Sequence, residues 1–534
     1  MQNRRRSRAE VIPRQGSFRY WLTFSAFALL LGFAFQGTRG LWEPDEGRYA
    51  EVAREMLVSG DFLTPRLDLE PHFTKPPLTY WCIAASIQAF GRGEWAVRLF
   101  LSLAFALTGI CVAALGSRMW DRRTGFLAGL IYLTSLTPFI GASFVTPDTL
   151  LALWTAVALY SFWRSIECRS GCGAWLWPIA TGAAFGLGFL TKGPPALAFL
   201  PGIILWHQFA GRSRSARSNI RHVPGILIGA AIGLSWFLVV AARQAGLTQY
   251  FLEGEVVGRI LGHHHRNAAW YGPWVIYGPA LLGGALPWCL AWPRCLRSLR
   301  ATAAHEGGLG PFLRTRPRLT LLLGCLVPAL ALFWVVRSRL PLYVLPLFIP
   351  LALMTARALP KIELAPVGAA WPSPRPEARL ALWVCGLLAI RLGLAALPTA
   401  NDARSLYQAL RPLGNVELIV DDHESHHGLA YYSERDVEYV SGLGATPESV
   451  QTIPIANELA EETRANEGPH LYLVRRPRAT QLDELLRNAS ATIRARQEVG
   501  AFQAVWTQPG AVTGGSGSGG AEWRWAGPRA MPPS

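Results

Sequence analysis

Five ionisable residues crowd one short stretch near the start of the chain: Glu43, Asp45, Glu46 and Arg48 within Leu41–Ala50, then Lys75 heading Lys75-Pro76-Pro77. They follow the first long apolar run, so acids and bases stand together close to a bilayer. Such a set can handle a lipid phosphate and a proton. The structural alternative is that Asp45, behind Pro44, only caps a helix and that Lys75 only snorkels to headgroups. Behind Asp45, the residues Tyr49, Val52, Ala53, Met56 and Leu57 form an apolar stripe at helical spacing, and Gly60 is its stop. Arg48, Glu51, Arg54 and Glu55 occupy the other face. The pattern predicts an amphipathic helix lying on the membrane surface with an acid at its mouth.

Other candidates lie further along. Asp148 follows Pro147 at the head of an apolar run, where it is either another N-cap or a second acid facing the same cavity as Asp45. Lys192 in Thr191-Lys192-Gly193-Pro194 separates two apolar runs; snorkelling is the preferred reading, phosphate contact the other. Phe251–Arg266 is richer. Arg259 offers a planar fork for a phosphate, and His263, His264 and His265 follow it. Three consecutive histidines point in different directions on a helix, which is poor geometry for a metal. The second histidine cluster, Asp421 to His427 with His423 and His427 in it, has the composition of a metal site but equally that of a solvated loop.

The elements that must position these residues are membrane spans. The chain has 534 residues, 51% hydrophobic and only 16% charged, with a mean hydropathy of +0.22. A soluble protein carries about a quarter charged residues. Apolar runs recur near 19–39, 94–117, 124–141, 148–164, 174–191, 194–210, 223–242, 271–293, 319–336, 340–357 and 379–397, eleven in all. The fold class expected is a polytopic α-helical membrane protein of about 11–13 transmembrane helices, with juxtamembrane helices on the outer side and a small C-terminal α/β domain. Residues 1–18 form a basic N-terminus, 19–397 the membrane domain with a first outer loop at 40–93, 398–510 the outer domain, and 511–534 a Gly/Ser-rich tail expected to be disordered. Met1–Arg19 is basic and the run after it is long enough to span, so no cleaved leader is expected.

Arginines set the orientation. Arg4–Arg6, Arg118–Arg123, Arg164–Arg169, Arg212–Arg221, Arg294–Arg318 and Arg357–Arg379 fall on one side if the N-terminus is cytoplasmic. The short apolar stretch 78–90 is then interfacial or re-entrant. The opposite, outward loops hold Asp45–Lys75, Asp148, Lys192, 253–270 and Val336–Tyr343, which places the candidate site outside. The net charge of +16 sits in short loops without any aromatic-basic groove pattern, so no nucleic-acid partner is expected. In the C-terminal region Val416–Val420, Val437–Val440 and Leu471–Val474 read as strands, and 402–411 and 480–488 as helices. The cysteines, mostly in apolar runs, predict neither disulfides nor a zinc site. No internal repeat is visible.

The wording of the chain is also familiar. Trp42-Glu-Pro-Asp-Glu-Gly-Arg-Tyr-Ala-Glu-Val-Ala-Arg-Glu-Met56, then Lys75-Pro-Pro-Leu-Thr-Tyr-Trp81 and Glu94-Trp-Ala-Val-Arg-Leu99, closely resembles the membrane glycosyltransferases typified by aminoarabinose transferase. These belong to the GT-C superfamily with the protein O-mannosyltransferases. The resemblance covers roughly 20–358, including Gly188–Pro194 and Ala285–Trp288, and fades in the outer domain. It implies a polyprenyl-phosphate sugar donor and a cavity at the outer membrane surface. On this resemblance Asp45 is the acid of the first outer loop, with Glu46, Arg48 and Tyr49 beside it, and Asp148 is the second acid. Lys75 and Arg259 match the cations on the lipid phosphate, and Tyr343 the tyrosine of a motif that reads Arg339-Leu-Pro-Leu-Tyr-Val-Leu-Pro346 here. Thr74 stands where relatives usually carry Glu, and Arg339 where they carry Lys.

The expected chemistry is transfer of the sugar to a membrane lipid (lipid A-like), glycan or protein acceptor, in a bilayer, with inversion. Lys75 and Arg259 would stabilise the leaving phosphate and Asp45 would serve as general base. No cofactor is then required, although the histidines leave room for a divalent metal. The location implied is a bacterial inner membrane. A protein O-mannosyltransferase is the near alternative and a transporter or lipid flippase the distant one. Transporters place their ions near the midplane and often show repeats.

Overall fold

The computed structural model of the chain describes residues 14–168, 170–210, 220–244, 246–257, 269–359, 376–397, 399, 401–410, 417–421, 426–435, 437–441, 453–454, 469–488 and 491–508. It divides into two units: residues 1–411 with 424–436, and residues 412–423 with 437–534. The expected tail at 511–534 lies outside the described residues.

The first unit is a helical membrane assembly. Six helices among the described residues are long and apolar enough to cross a bilayer: Leu99–Met119, Gly173–Lys192, Val223–Arg243, Pro317–Val335, Pro341–Ala358 and Glu377–Ala396. A bent pair, Gly272–Gly283 with Trp288–His305, makes up to seven. Several of the eleven apolar runs are therefore not long unbroken helices. The run at 124–141 divides at Ser135, whose extended backbone separates Arg122–Thr134 from Leu136–Gly141. The run at 194–210 begins as a 3-10 segment, Pro194–Phe199, before the helix Leu200–Phe209. The run at 271–293 bends by 92°. Hydropathy reports burial in lipid or protein, not helix continuity.

The first helix, α1 (Arg14–Phe33), stops earlier than its apolar run because a buried arginine captures its end. Arg391 donates to the carbonyls of Leu31, Gly32, Ala34 and Phe139. Elsewhere the helices approach by small residues: a Cβ at Gly182 would collide with the main chain of Gly225, so Gly173–Lys192 and Val223–Arg243 meet backbone to backbone. The core gathers Phe105, Tyr132, Phe139, Phe162, Trp206, Leu322, Phe348 and Leu353.

Between α1 and Leu99–Met119 lie α2 (Asp45–Ser59), a two-residue hairpin of β1 (Arg66–Leu67) with β2 (Glu70–Pro71), and α3 (Leu78–Phe90). At 13 residues, α3 is short for a span, as expected of 78–90. The description of α2 as a surface helix is corrected. Glu51 and Glu55 on its charged face are buried, because the helix His427–Ser433 and the hairpin cover that face. Glu51 is held there by two bonds from Arg54, at 2.8 and 2.5 Å. Glu55 accepts from the Leu69 amide at 3.2 Å.

The second unit is a six-stranded sheet in the order β5-β4-β3-β6-β8-β7, with β3 at Glu417–Asp421, β4 at Val437–Ser441, β5 at Ile453–Pro454, β6 at His470–Arg475, β7 at Thr492–Val499 and β8 at Phe502–Gln508. Strands β5, β4, β3 and β6 are parallel; β8 and β7 continue antiparallel. The helix Ala479–Asn488 buries Leu482 and Leu486 against Ile419, Tyr472 and Val505. The three expected strands and the expected helices near 402–411 and 480–488 are present. The β7–β8 hairpin was missed because most of β7 (Thr492, Arg494–Glu498) is exposed, an edge strand whose polar residues hide its pattern.

Candidate active site

The site is built on the head of α2, and its foundation is Glu46. This carboxylate accepts from Arg39 at 2.6 Å, from Arg98 at 3.0 and 3.1 Å, and from the amides of Trp42 at 2.9 Å and Val145 at 3.1 Å. Arg98 spends its remaining donors on the carbonyls of Gln36, Arg39 and Gly40. Burial pushes the Glu46 carboxyl up, yet Arg98 and Arg39 outweigh that and hold it at about 2. Glu46 thus ties three segments together: the 36–42 loop, α2 and the turn leading to Asp148. Both of its carboxylate oxygens are engaged by these partners.

Glu43 has a different environment. It is buried, and burial holds its pKa well above the ordinary value against the amides of Gly428 and Leu429, with Glu46 and Glu51 adding to the rise. Gly428 donates to it at 2.5 Å. Any Cβ at Gly47 or Gly428 would collide with this carboxylate or the facing backbone, so glycine at both positions permits the contact.

Asp45 does not cap α2: it lies inside the helix, behind Pro44, and no side-chain cap bond forms. Instead it pairs with Arg48 at 2.5 Å, with its side chain 42% exposed. Tyr49, next on the helix, is buried with its ring 5.4 Å from that of Tyr80. Burial raises the Tyr49 hydroxyl pKa well above its ordinary value; Tyr80, Asp45 and Asp148 add to this and Arg48 opposes it. Tyr49 therefore stands within electrostatic reach of both candidate acids.

Lys75 is half-buried and donates to the Thr74 carbonyl at 3.0 Å. His72 lies beside it, 2.7 Å from the Thr74 hydroxyl. Packing around the His72 ring, then Arg48, His427 and Lys75, push its pKa down to about 3. The ring is neutral at physiological pH in a setting of positive charge, which suits an anion. The loop is pinned from both sides: Trp81 donates to Phe62 at 2.7 Å and Trp236 to Leu63 at 2.8 Å.

Asp148 also departs from expectation. Thr146 is the N-cap of its helix and Pro147 follows, so Asp148 is in the first turn. It forms an ion pair with Lys192, whose side chain is only 7% exposed, and the Lys192 ammonium lies 3.8 Å from the centre of the Tyr343 ring. The snorkelling reading of Lys192 is thus corrected: the lysine turns inward because Asp148 and Tyr343 await it. Arg339 is buried and donates to the carbonyls of Ala269 and Trp334, at 3.2 and 3.1 Å. Arg259, His263, His264, His265 and His423 lie outside the described residues. His427 is fully buried, with Nδ1 3.4 Å from the Asp68 carboxylate. No group of three metal-ligating side chains occurs among the described residues.

The structure thus brings Asp45, Arg48 and Asp148 into the field of Tyr49, Arg48 and Lys75 into that of His72, and Lys192 and Tyr343 to Asp148. Sequence reading passed over His72, Tyr80, Arg39 and Arg98. Arg98 did leave a signal, being a charge inside an expected span.

The family model for dolichyl-phosphate-mannose-protein mannosyltransferases matches residues 17–251. An undecaprenyl phosphate-alpha-4-amino-4-deoxy-L-arabinose arabinosyl transferase of Sodalis glossinidius is 36% identical over 60% of this chain and 56% of its own length. The enzyme of that name from Erwinia tasmaniensis is 32% identical over 71% of this chain and 66% of its own. The chain thus matches between half and two thirds of the length of these curated relatives. The structure of ArnT from Cupriavidus metallidurans bound to undecaprenyl phosphate shares the fold, with a TM-score of 0.72 at 20% identity over 92% of this chain and 98% of that one. The chain is a multi-pass membrane protein of the GT-C fold, aminoarabinose transferase-like in sequence.

Proposed function

We propose that the chain is an integral-membrane glycosyltransferase that moves a sugar from a polyprenyl-phosphate donor to a lipid A-like, glycan or protein acceptor. The observation that carries this reading is a half-exposed carboxylate, Asp45, paired with Arg48, which shares with Lys75 the surroundings of a histidine held neutral, His72. The relatives' names favour an undecaprenyl-phosphate donor carrying 4-amino-4-deoxy-L-arabinose.

The acceptor oxygen attacks the anomeric carbon as the bond from that carbon to the phosphate oxygen breaks. The electron pair leaves with the polyprenyl phosphate. Lys75 and Arg48, with Arg259 by resemblance, stabilise the charge gained there. A hydroxyl acceptor gives its proton to Asp45; a phosphate acceptor needs Asp45 only for placement. One displacement inverts the sugar carbon. Two cations suffice for the leaving group, so the step needs no metal. The arginine-rich loops favour a cytoplasmic N-terminus in a bacterial inner membrane, with the site and the C-terminal domain on the periplasmic side. The charged pairs stand at helix ends rather than mid-span, which favours an enzyme over a transporter.

Asp45→Asn is the direct test. Asp45 forms no cap bond, so the variant should insert and melt like the parent, while transfer of a radiolabelled lipid-linked sugar should fall about a hundredfold or more. A stable variant with full activity would remove Asp45 from the chemistry.

A further inference from the structure

A large cavity lies at the end of the helices remote from Asp148. Its volume is about 1180 Å³, and Trp120, Trp163, Trp292, Leu299, Leu351 and Met354 are among its walls. Small-molecule sites take roughly 300–1,000 Å³, so this space suits something larger. Trp163 follows Asp148 by fifteen residues on one continuous helix, which sets the cavity about 22 Å along the helix from the Asp148–Lys192 pair. Arg357 stands likewise at the far end of the segment that begins at Pro341. The cavity therefore opens at the opposite membrane face and is separate from the candidate active site.

One wall is the helix Trp292–His305, none of whose residues is buried. Trp292, Cys295, Leu296 and Leu299 share one face at helical spacing, while Arg294, Arg297 and Arg300 take the other. Such a helix lies in the interface with its apolar side toward acyl chains. Its apolar side here is the cavity wall, with Cys295, Leu296 and Leu299 all lining the space. Trp292 is fixed by a bond to the Thr355 hydroxyl at 3.0 Å.

The polar lining is cationic. Arg316, Arg318 and Arg357 face one acid, Glu306. Glu306 is already committed to Arg316, at 2.6 Å, and to the Thr315 hydroxyl. Arg318 and Arg357 form no ion pair among the described residues, though Asp121 feels the charge of Arg357. An apolar chamber with two guanidiniums that form no ion pair among the described residues matches one ligand chemistry: hydrocarbon chains joined to a phosphate.

We propose that this cavity binds an anionic phospholipid of the adjacent leaflet, its acyl chains among the tryptophans and its phosphate against Arg318 and Arg357. A two-chain lipid is favoured over the single-chain polyprenyl donor by the volume of the space and its distance from Asp148. The site holds the Trp292–His305 helix against Phe348–Ala358.

Native mass spectrometry of the protein, delipidated in detergent and offered equal phosphatidylglycerol, phosphatidylcholine and polyprenyl phosphate, tests this. One phosphatidylglycerol should be retained per chain, with a roughly fivefold preference for each arginine. Arg318→Gln with Arg357→Gln should abolish the preference, and Leu299→Trp should expel the lipid by filling the chamber. Both arginines are solvent-accessible, so the double variant keeps the fold. Equal retention of phosphatidylcholine, unchanged retention in the double variant, or preferential retention of polyprenyl phosphate would each overturn the proposal.

Discussion

Lys192→Met separates the structural and chemical roles of the second acid. Lys192 closes the helix Gly173–Lys192 and Asp148 opens Pro147–Glu167, with side chains 7% and 5% exposed. Each charge is on the side of its own helix dipole that suits it. Removing the ammonium leaves the Asp148 carboxylate buried with no other hydrogen bond or ion pair among the described residues. Stranding one partner of a buried pair costs about 3–5 kcal/mol, and losing the ammonium over the Tyr343 ring adds roughly 0.5–2 kcal/mol. Asp148→Asn should cost less, because Lys192 keeps the Tyr343 ring and its helix end. Replacing both, as Lys192→Met with Asp148→Leu, should return stability to within ~1 kcal/mol of the parent, since apolar residues of similar volume tolerate such sites. The assay is unfolding in detergent followed by tryptophan fluorescence, alongside transfer of a labelled lipid-linked sugar. If Asp148 touches substrate, the double variant is stable and inactive; if it only balances Lys192, the double variant is stable and active. A Lys192→Met protein as stable as the parent, or a double variant no better than the single, would refute the argument that burial makes this pair obligatory.

Lys75→Ala should cut transfer at least tenfold, since a phosphate losing a charge-assisted partner forfeits about 2–5 kcal/mol, while Lys75→Arg recovers part of it; equal rates for all three proteins would remove Lys75 from the donor site. Glu46→Gln should lower the unfolding midpoint sharply, at a cost of about 3–5 kcal/mol, because Arg39 and Arg98 lose their shared buried anion; an unchanged midpoint would contradict its role as foundation. His72 and Glu55 predict opposite pH slopes. With its folded pKa near 3 against an ordinary 6.5, His72 makes the unfolded chain bind more protons in that window, so stability falls as pH drops below 6.5. Glu55, raised by burial and then by Glu51 and Asp68 to about 7 from 4.5, gives stability that is complete below 4.5 and lost as pH rises through 7. The two slopes oppose each other where the windows overlap, so between about pH 4.5 and 6.5 the His72→Gln protein should lose stability as pH rises and the Glu55→Gln protein should gain it, each by at most ~1.4 kcal/mol per pH unit relative to a flatter parent; slopes identical to the parent would refute the shifts.

What could be read from the chain alone was whatever resides in a short window. Hydropathy runs located the membrane helices, alternation located β3, β4 and β6, and the concentration of charge between 43 and 75 pointed to the candidate site. These are properties of ten or twenty neighbouring residues, and they persist whatever the rest of the chain does. The tertiary structure decided which charges are consumed by partners and which stay open to solvent. Glu46 and Asp45 are adjacent in sequence and equally acidic, yet Glu46 is consumed by Arg98, 52 residues away, while Asp45 stays half-exposed. Lys192 looked like a snorkelling lysine until Asp148, 44 residues earlier, was seen to meet it. The charged face of α2 reads as a surface in its own window, but a helix nearly four hundred residues later packs on it, with Gly428 against Gly47. The reason is physical. A buried charge is tolerated only beside its counter-charge, and that counter-charge comes from wherever the fold delivers it.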